Sequence, residues 1–188
     1  MKRCKGRKIT CSTGFLFILA ALIYLDGQGI VLRALLAAVL HECGHWAAIV
    51  LLGGRIRTLR LSAVGAEMEL DASCSLSYSK EALAAFAGPA VNLILTALCV
   101  QTRWYLFAGL NLSLGLFNLL PVRMLDGGRI LSCLLNAFAP ERAQWVVNAV
   151  SVLLAGALLG LGWAAWQQWG NLTLLCVAAW LTARVLKS

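Results

Sequence analysis

Six apolar runs divide the chain, at about 11–25, 30–52, 82–100, 104–121, 144–166 and 172–186. A helix needs roughly 17 or more apolar residues to cross a bilayer, and the first and last runs lie near that lower limit. The pattern predicts an α-helical polytopic membrane protein with about six transmembrane helices. One connecting segment has a different period. Ile56, Leu59 and Leu61 interleave with Arg55, Arg57 and Arg60, and after Gly65 the residues Ala66, Met68 and Leu70 alternate with Glu67 and Glu69. Alternation at period two about a glycine predicts a small membrane-associated β-hairpin between the second and third helices. A solvated cytoplasmic loop is the plainer alternative. The functional one is an edge strand that accepts an extended substrate by strand addition. On this reading 1–188 is a single domain, with 1–10 a basic cytoplasmic tail and 53–80 a cytoplasmic or re-entrant hairpin loop.

Charge orients the spans. Lys2, Arg3, Lys5, Arg7 and Lys8 precede the first run and are expected to stay in the cytoplasm. Threading six spans from there places Arg55, Arg57, Arg60, Lys80, Arg123, Arg129, Arg142, Arg184 and Lys187 on the same side, leaving Arg103 outside and Arg33 snorkelling at the outer end of the second span. This is the positive-inside asymmetry, and it predicts that both termini are cytoplasmic. A basic start followed by an apolar stretch also resembles a secretory signal. No small-residue cleavage site follows it, so the segment is read as a retained first helix. The formal net charge of +8 invites a nucleic-acid reading. That is rejected, because the basic residues alternate with the apolar runs and form no single stripe. With 61% apolar and 13% charged residues, little remains for a soluble domain. The seven cysteines are scattered, show no C-x-x-C spacing, and are read as small buried hydrophobes.

The chemistry concentrates in the second run. The chain's only two histidines stand in His41-Glu42-Cys43-Gly44-His45. In a helix, positions i and i+4 share a face, so both imidazoles reach one metal, while Glu42 is offset to act as base on water. Two imidazoles and a carboxylate at bilayer depth are expensive, so they mark a functional site. A catalytic zinc usually takes three protein ligands. No histidine remains, and among the acidic residues Asp126 stands out in Pro121-Val122-Arg123-Met124-Leu125-Asp126-Gly127-Gly128. It follows the fourth run, where Pro121 ends regular helix and the glycines permit an unusual backbone. Alone, Asp126 reads as the cap of a short helix starting near Gly128. Beside H-E-x-x-H, the role of third ligand is favoured. Cys43 lies off the histidine face. A zinc-binding pseudoprotease and a metal transporter are the competing readings. The intact Glu42 argues against the first, and the lack of repeated halves argues against the second.

His41-Glu42-x-x-His45 in a second span, Gly88-Pro89-x-x-Asn92 in a third, and Asn118-x-x-Pro121-x-x-x-Leu125-Asp126-Gly127 after a fourth together resemble the site-2 protease family, peptidase family M50. The six-span plan and the Gly-Gly-Arg-Ile-Arg hairpin look like its stage IV sporulation protein FB group of bacteria, without the CBS domain of that group. The resemblance implies one Zn2+ per chain held by His41, His45 and Asp126, with Glu42 as general base. It implies substrate-binding roles for Asn118, Pro121 and Asn92. For Asn118 the role is either orienting the substrate backbone or stabilising the developing oxyanion, and Asn92 also reads as an interhelical hydrogen-bonding residue. It further implies regulated proteolysis of a transmembrane or membrane-associated protein, a sigma or anti-sigma factor among the candidates. A multi-pass protein of the bacterial cell membrane is expected, in contact with lipid and with a regulatory membrane partner, and binding no nucleic acid.

Overall fold

The computed structural model describes residues 8–11, 13–62, 65–70, 76–170 and 172–187. Among these the order is β1 (Lys8–Cys11), α1 (Thr13–Leu25), α2 (Ile30–Leu51), β2 (Ile56–Ser62), β3 (Gly65–Leu70), α3 (Tyr78–Gln101), α4 (Tyr105–Asn118), α5 (Asp126–Phe138), α6 (Pro140–Trp169) and α7 (Leu172–Lys187). The chain divides into two compact units, Met1–Leu116 and Phe117–Ser188.

In the first unit, α2 packs against α3. Its inward face carries Ala37, His41 and Gly44, spaced one and two helical turns apart, and all are buried. Its outward face carries Leu32, Leu36, Val39 and Val50, all largely exposed. Polar groups inside and large aliphatic groups outside invert the arrangement of a water-soluble helix. Close approach of α2 and α3 depends on Gly44. A Cβ there would lie 2.8 Å from the Ala87 carbonyl oxygen and 2.9 Å from Val91 Cγ2. At the N-terminal end of α2, Asp26 accepts from the Gln28 N–H at 3.2 Å and the Val31 N–H at 2.6 Å, satisfying donors that the first turn leaves orphaned. Desolvation pushes the Asp26 carboxyl up. The N–H groups of Val31, Ile30, Gln28 and Gly29 pull it further down, so the net shift is below the usual carboxylate range. Arg33 Nη1 donates to the Gln28 carbonyl at 3.0 Å, which ties the arginine to the end of the span where snorkelling was expected. At the other end, Lys80 Nζ donates to the Leu52 carbonyl at 3.2 Å, a cation placed against the negative pole of α2.

The alternating segment forms strands. β2 and β3 are antiparallel, with Leu59 opposite Met68 and Arg60 opposite Glu67. A bulge between Ile56 and Thr58 shifts the register. The basic tail contributes something unexpected: Lys8–Cys11 pairs in parallel with β2, Lys8 opposite Thr58 and Cys11 opposite Leu61, so β2 becomes the central strand. A four-residue strand whose partner lies about fifty positions away leaves little periodicity to detect.

In the second unit, α6 packs against α7 and against α5. Gly162 permits the α6–α7 approach, since a Cβ there would stand 2.9 Å from Leu175 Cα.

Three helices are long and apolar enough to cross a membrane among the described residues: Ile30–Leu51, Tyr78–Gln101 and Pro140–Gln168. The apolar runs at 11–25, 104–121 and 172–186 form helices of 13, 14 and 16 residues. At 1.5 Å per residue these are about 20–24 Å long, below the roughly 30 Å of a hydrocarbon core. The six expected runs are therefore all helical, and half of them fall short of a full span.

Candidate metal centre

His41 and His45 occupy one face of α2, one turn apart, and their Nε2 atoms face each other at 3.0 Å. The rings meet edge to face at 82°. Each Nδ1 is engaged on the opposite side. His45 Nδ1 lies 2.8 Å from the Ala84 carbonyl oxygen of α3. That oxygen can only accept, so Nδ1 carries the proton and Nε2 keeps a lone pair. His41 Nδ1 makes a short hydrogen bond to Asn92 Oδ1. Fixing the far nitrogen in this way is how proteins aim a metal-binding imidazole.

The pair fits a metal by three features of this unit. Two lone pairs pointed at each other repel unless a cation lies between them. Two zinc–nitrogen bonds of about 2.0–2.1 Å at a tetrahedral angle set the nitrogens about 3.3 Å apart, close to the 3.0 Å found here. The space is also kept open from α3. A Cβ on Gly88 would stand 2.8 Å from His41 Nε2 and closer still to the His45 ring. Glycine is required at 88, because any side chain there would occupy the place where the two nitrogens converge. Glu42 follows His41 on the same helix and is half-buried.

Asn92 differs from its expected role at the substrate. It has 0% exposure, and its polar atoms face inward: Oδ1 meets His41, while Nδ2 donates to Asn111 Oδ1 at 2.8 Å and to the Ala37 carbonyl at 3.4 Å. A fully buried amide with this set of partners orients His41 and has no face left for a peptide. Asn111, also with 0% exposure, went unnoticed in the sequence. Its signal is an asparagine inside an apolar run, which is costly there unless it is paired.

In the second unit, Asp126 is the first residue of α5 and Leu125 is the N-cap. The helix therefore starts two residues earlier than Gly128, and the aspartate lies within its first turn, near the positive pole. Asp126 is half-buried. The Asp-Gly-Gly pattern follows from backbone crowding. A Cβ on Gly127 would collide with the Leu119 carbonyl, and one on Gly128 with the Val122 carbonyl. The 119–123 segment after α4 thus folds back onto the start of α5, and only glycine fits. It is fixed to α6 as well. The Arg123 N–H donates to Ser151 Oγ at 2.9 Å, Ser151 donates to the Val147 carbonyl at 2.7 Å, and Arg123 Nη1 donates to Asn148 Oδ1 at 3.3 Å. Asn118 ends α4 and Pro121 lies in the returning segment, both half-buried.

Known proteins resemble this chain in the same terms. Residues 97–158 match the model of peptidase family M50. The chain is 33% identical to stage IV sporulation protein FB of Bacillus subtilis over 156 residues, covering 78% of this chain and 54% of that protein. It is 29% identical over 181 residues to the putative zinc metalloprotease Rip3 of Mycobacterium tuberculosis, covering 80% of this chain and 46% of the relative. It therefore spans about half the length of the curated relatives it matches. The fold is that of the site-2 protease from Methanocaldococcus jannaschii, with a TM-score of 0.71, 23% identity, and coverage of 100% of this chain and 93% of the other. In its family match, its relatives and its fold, the chain is similar to peptidase family M50, the site-2 protease family.

Proposed function

We propose that this chain is a zinc-dependent intramembrane metalloprotease that hydrolyses peptide bonds of membrane-embedded or membrane-tethered proteins. The observation that carries the reading is the His41–His45 pair, Nε2 turned to Nε2 on the inward face of an apolar helix, with Glu42 beside it. Asp126 is the proposed third ligand, a half-buried carboxylate at the start of α5, as the usual three-ligand count of catalytic zinc requires. Relatives named as zinc metalloproteases support the choice of metal.

Zinc, when bound, supplies Lewis acidity at the scissile carbonyl. The chain's own groups do the rest. Glu42 takes a proton from the attacking water as its oxygen bonds to the carbonyl carbon. The same carboxyl then delivers that proton to the departing nitrogen as the C–N bond breaks. Asn118 and Pro121 are proposed to hold the substrate backbone near the carboxylate end of the site. An extended substrate segment is proposed to add to an edge of the three-stranded sheet. A peptide bond inside a helix is shielded, so some such unwinding precedes cleavage. A sigma or anti-sigma factor is the proposed substrate class, in keeping with the likeness to a sporulation protein, and a regulatory membrane partner is proposed to govern access.

The ligand assignment is tested by metal analysis of detergent-purified protein. About one zinc per chain is expected for the wild type, with loss or marked weakening in His41→Ala, His45→Ala and Asp126→Asn. Full zinc and full activity in Asp126→Asn would remove it from the ligand set.

All six apolar runs are proposed to reside in the bilayer, with both termini and the β2–β3 sheet in the cytoplasm of a bacterial cell. Cysteine probes at Gln28 and Gly170, on a cysteine-free background, are expected to react with an impermeant reagent added outside. A probe at Ser77 is expected to stay unlabelled. Strong labelling at Ser77 reverses the orientation and puts the site on the opposite side.

A further inference from the structure

We propose that Asn92 and Asn111 form a directional amide relay, anchored on a helix carbonyl, that locks His41 in its Nδ1–H tautomer and so presents the Nε2 lone pair to the metal. The inference rests on the metal-centre reading above, and it adds two positioning residues to it.

The direction follows from the far end of the relay. Asn111 Nδ2 lies 2.8 Å from the Phe107 carbonyl oxygen, one turn back in α4. A backbone carbonyl can only accept, so the Asn111 amide must turn its NH2 group toward it. Asn111 then necessarily presents Oδ1 to Asn92, at 2.8 Å. Facing an oxygen, Asn92 must in turn offer Nδ2. The Ala37 carbonyl at 3.4 Å makes the same demand of Nδ2 independently. Asn92 is left presenting Oδ1 to His41, and an imidazole nitrogen facing an oxygen must carry the proton. Each amide can point two ways in isolation. Together, with two carbonyls that cannot donate, only one orientation leaves every group satisfied. All three side chains are buried, His41 at 4% exposure and both asparagines at 0%, so water does not offer a substitute partner. An amide turned the wrong way would leave two like groups facing each other, at a cost on the order of 1–3 kcal/mol per unsatisfied group.

The relay explains why the two histidines are held differently. His45 meets a backbone carbonyl of α3 directly. His41 Nδ1 meets the Asn92 amide, which donates to the Ala37 carbonyl and, through Asn111, is tied to a carbonyl of α4. Helices α2, α3 and α4 are thereby joined through one chain of hydrogen bonds. Gly115 lets α4 come close enough, since a Cβ there would lie 3.2 Å from Asn92 Cβ.

The chain has only two histidines, so 15N labelling of histidine in the metal-free protein, reconstituted in lipid nanodiscs, reads four ring nitrogens. The expected wild-type spectrum has Nδ1 protonated and Nε2 unprotonated in both rings. Asn92→Leu, with the same branching and number of side-chain heavy atoms but no polar atom, should make His41 populate both tautomers while His45 keeps its pattern. Zinc affinity, measured by chelator competition, should fall about 10- to 100-fold, the usual effect of losing such a partner. Asn92→Asp keeps an acceptor for His41 and should restore the Nδ1–H tautomer, while its second oxygen replaces the donor that Asn111 and the Ala37 carbonyl require, so the tautomer is the readout for this variant. Asn111→Leu leaves the Asn92 contact of His41 in place and leaves the Ala37 carbonyl, at the longer distance of 3.4 Å, as the remaining hold on the Asn92 amide. The relay therefore predicts a His41 tautomer mixture smaller than in Asn92→Leu but above the wild type, with weaker zinc binding. A purely structural role for the asparagines would move stability and spare the tautomer. An unchanged His41 pattern in Asn111→Leu overturns the relay. So does failure of Asn92→Asp to hold the Nδ1–H tautomer better than Asn92→Leu. If Asn92→Leu does not fold, the Asn111→Leu spectrum decides. None of these readouts requires a substrate, so loss of the relay and failure of the protease reading are separable.

Discussion

Cleavage of a membrane-tethered test substrate is expected to disappear in Glu42→Gln while zinc content stays near one per chain. Glutamine keeps the size of the side chain and a carbonyl oxygen, and removes only the capacity to take and return a proton. General acid–base assistance is typically worth about 100- to 10,000-fold in rate, or roughly 3–5 kcal/mol of barrier. A drop of that size takes a cell-based cleavage assay below its background. Substrate binding should survive, so the mutant should accumulate uncut substrate that crosslinks to the protein. Glu42 is half-buried on α2, next in sequence to the proposed ligand His41 and off the face where the two Nε2 atoms converge. That is the reason to expect zinc retention. The experiment also separates a protease from a protein that merely holds a membrane partner, for which Glu42 would have no proton to move. Ordinary cleavage by Glu42→Gln ends the metalloprotease mechanism. Loss of cleavage together with loss of zinc would make the residue structural.

The His41–His45 pair was legible in the sequence because its geometry is local. Spacing at i and i+4 puts His41 and His45 on one face in any helix, and α2 realises it. Asp126 could be singled out by elimination, because so few carboxylates lie in or beside apolar runs. The supporting groups were less legible, since their roles depend on packing between helices far apart in the chain. Asn92 was noticed, but the sequence did not distinguish a residue that meets substrate from one that holds a ligand. Only its burial and its three partners do. Asn111 shares no local pattern with the histidines, and its part depends on α4 approaching α3 at Gly115. The β2–β3 pairing was visible in its alternation. The β1 strand was hidden, because the basic residues that lead into it have an adequate explanation in membrane orientation, the strand itself is only four residues long, and its partner begins some fifty residues later. The runs at 11–25 and 104–121 were longer than the helices α1 and α4 that they form, for a related reason. An apolar run continues into residues that are apolar without being helical, as Leu119, Leu120 and Pro121 do beyond the end of α4.

Gly88→Ala is expected to remove the metal from the protein as completely as deleting a histidine. The change adds one methyl group to a helix, where alanine is ordinarily favoured over glycine by about 1 kcal/mol. By propensity alone, α3 should become more stable. The methyl carbon, however, would sit 2.8 Å from His41 Nε2 and nearer still to His45, closer than van der Waals contact with both nitrogens. His41 has little room to retreat, with its far nitrogen bound to a fully buried asparagine. His45 is similarly tied to the Ala84 carbonyl, four residues before Gly88 on the same helix. The new methyl group therefore either fills the convergence point or forces one imidazole off its partner. A ligand displaced from its supporting hydrogen bond loses about 10- to 100-fold in metal affinity, and a methyl group in the site adds to that. Gly109→Ala is the matched control. It lies in the interior of α4, where a Cβ meets nothing within 4 Å, so zinc content and activity should be unchanged. The informative comparison is zinc per chain and thermal stability measured on both variants in the same detergent. Loss of zinc in Gly88→Ala with its helical content intact is the expected result. Full zinc occupancy in that variant would mean that the nitrogens do not converge beneath Gly88, and the proposed metal position would have to be abandoned.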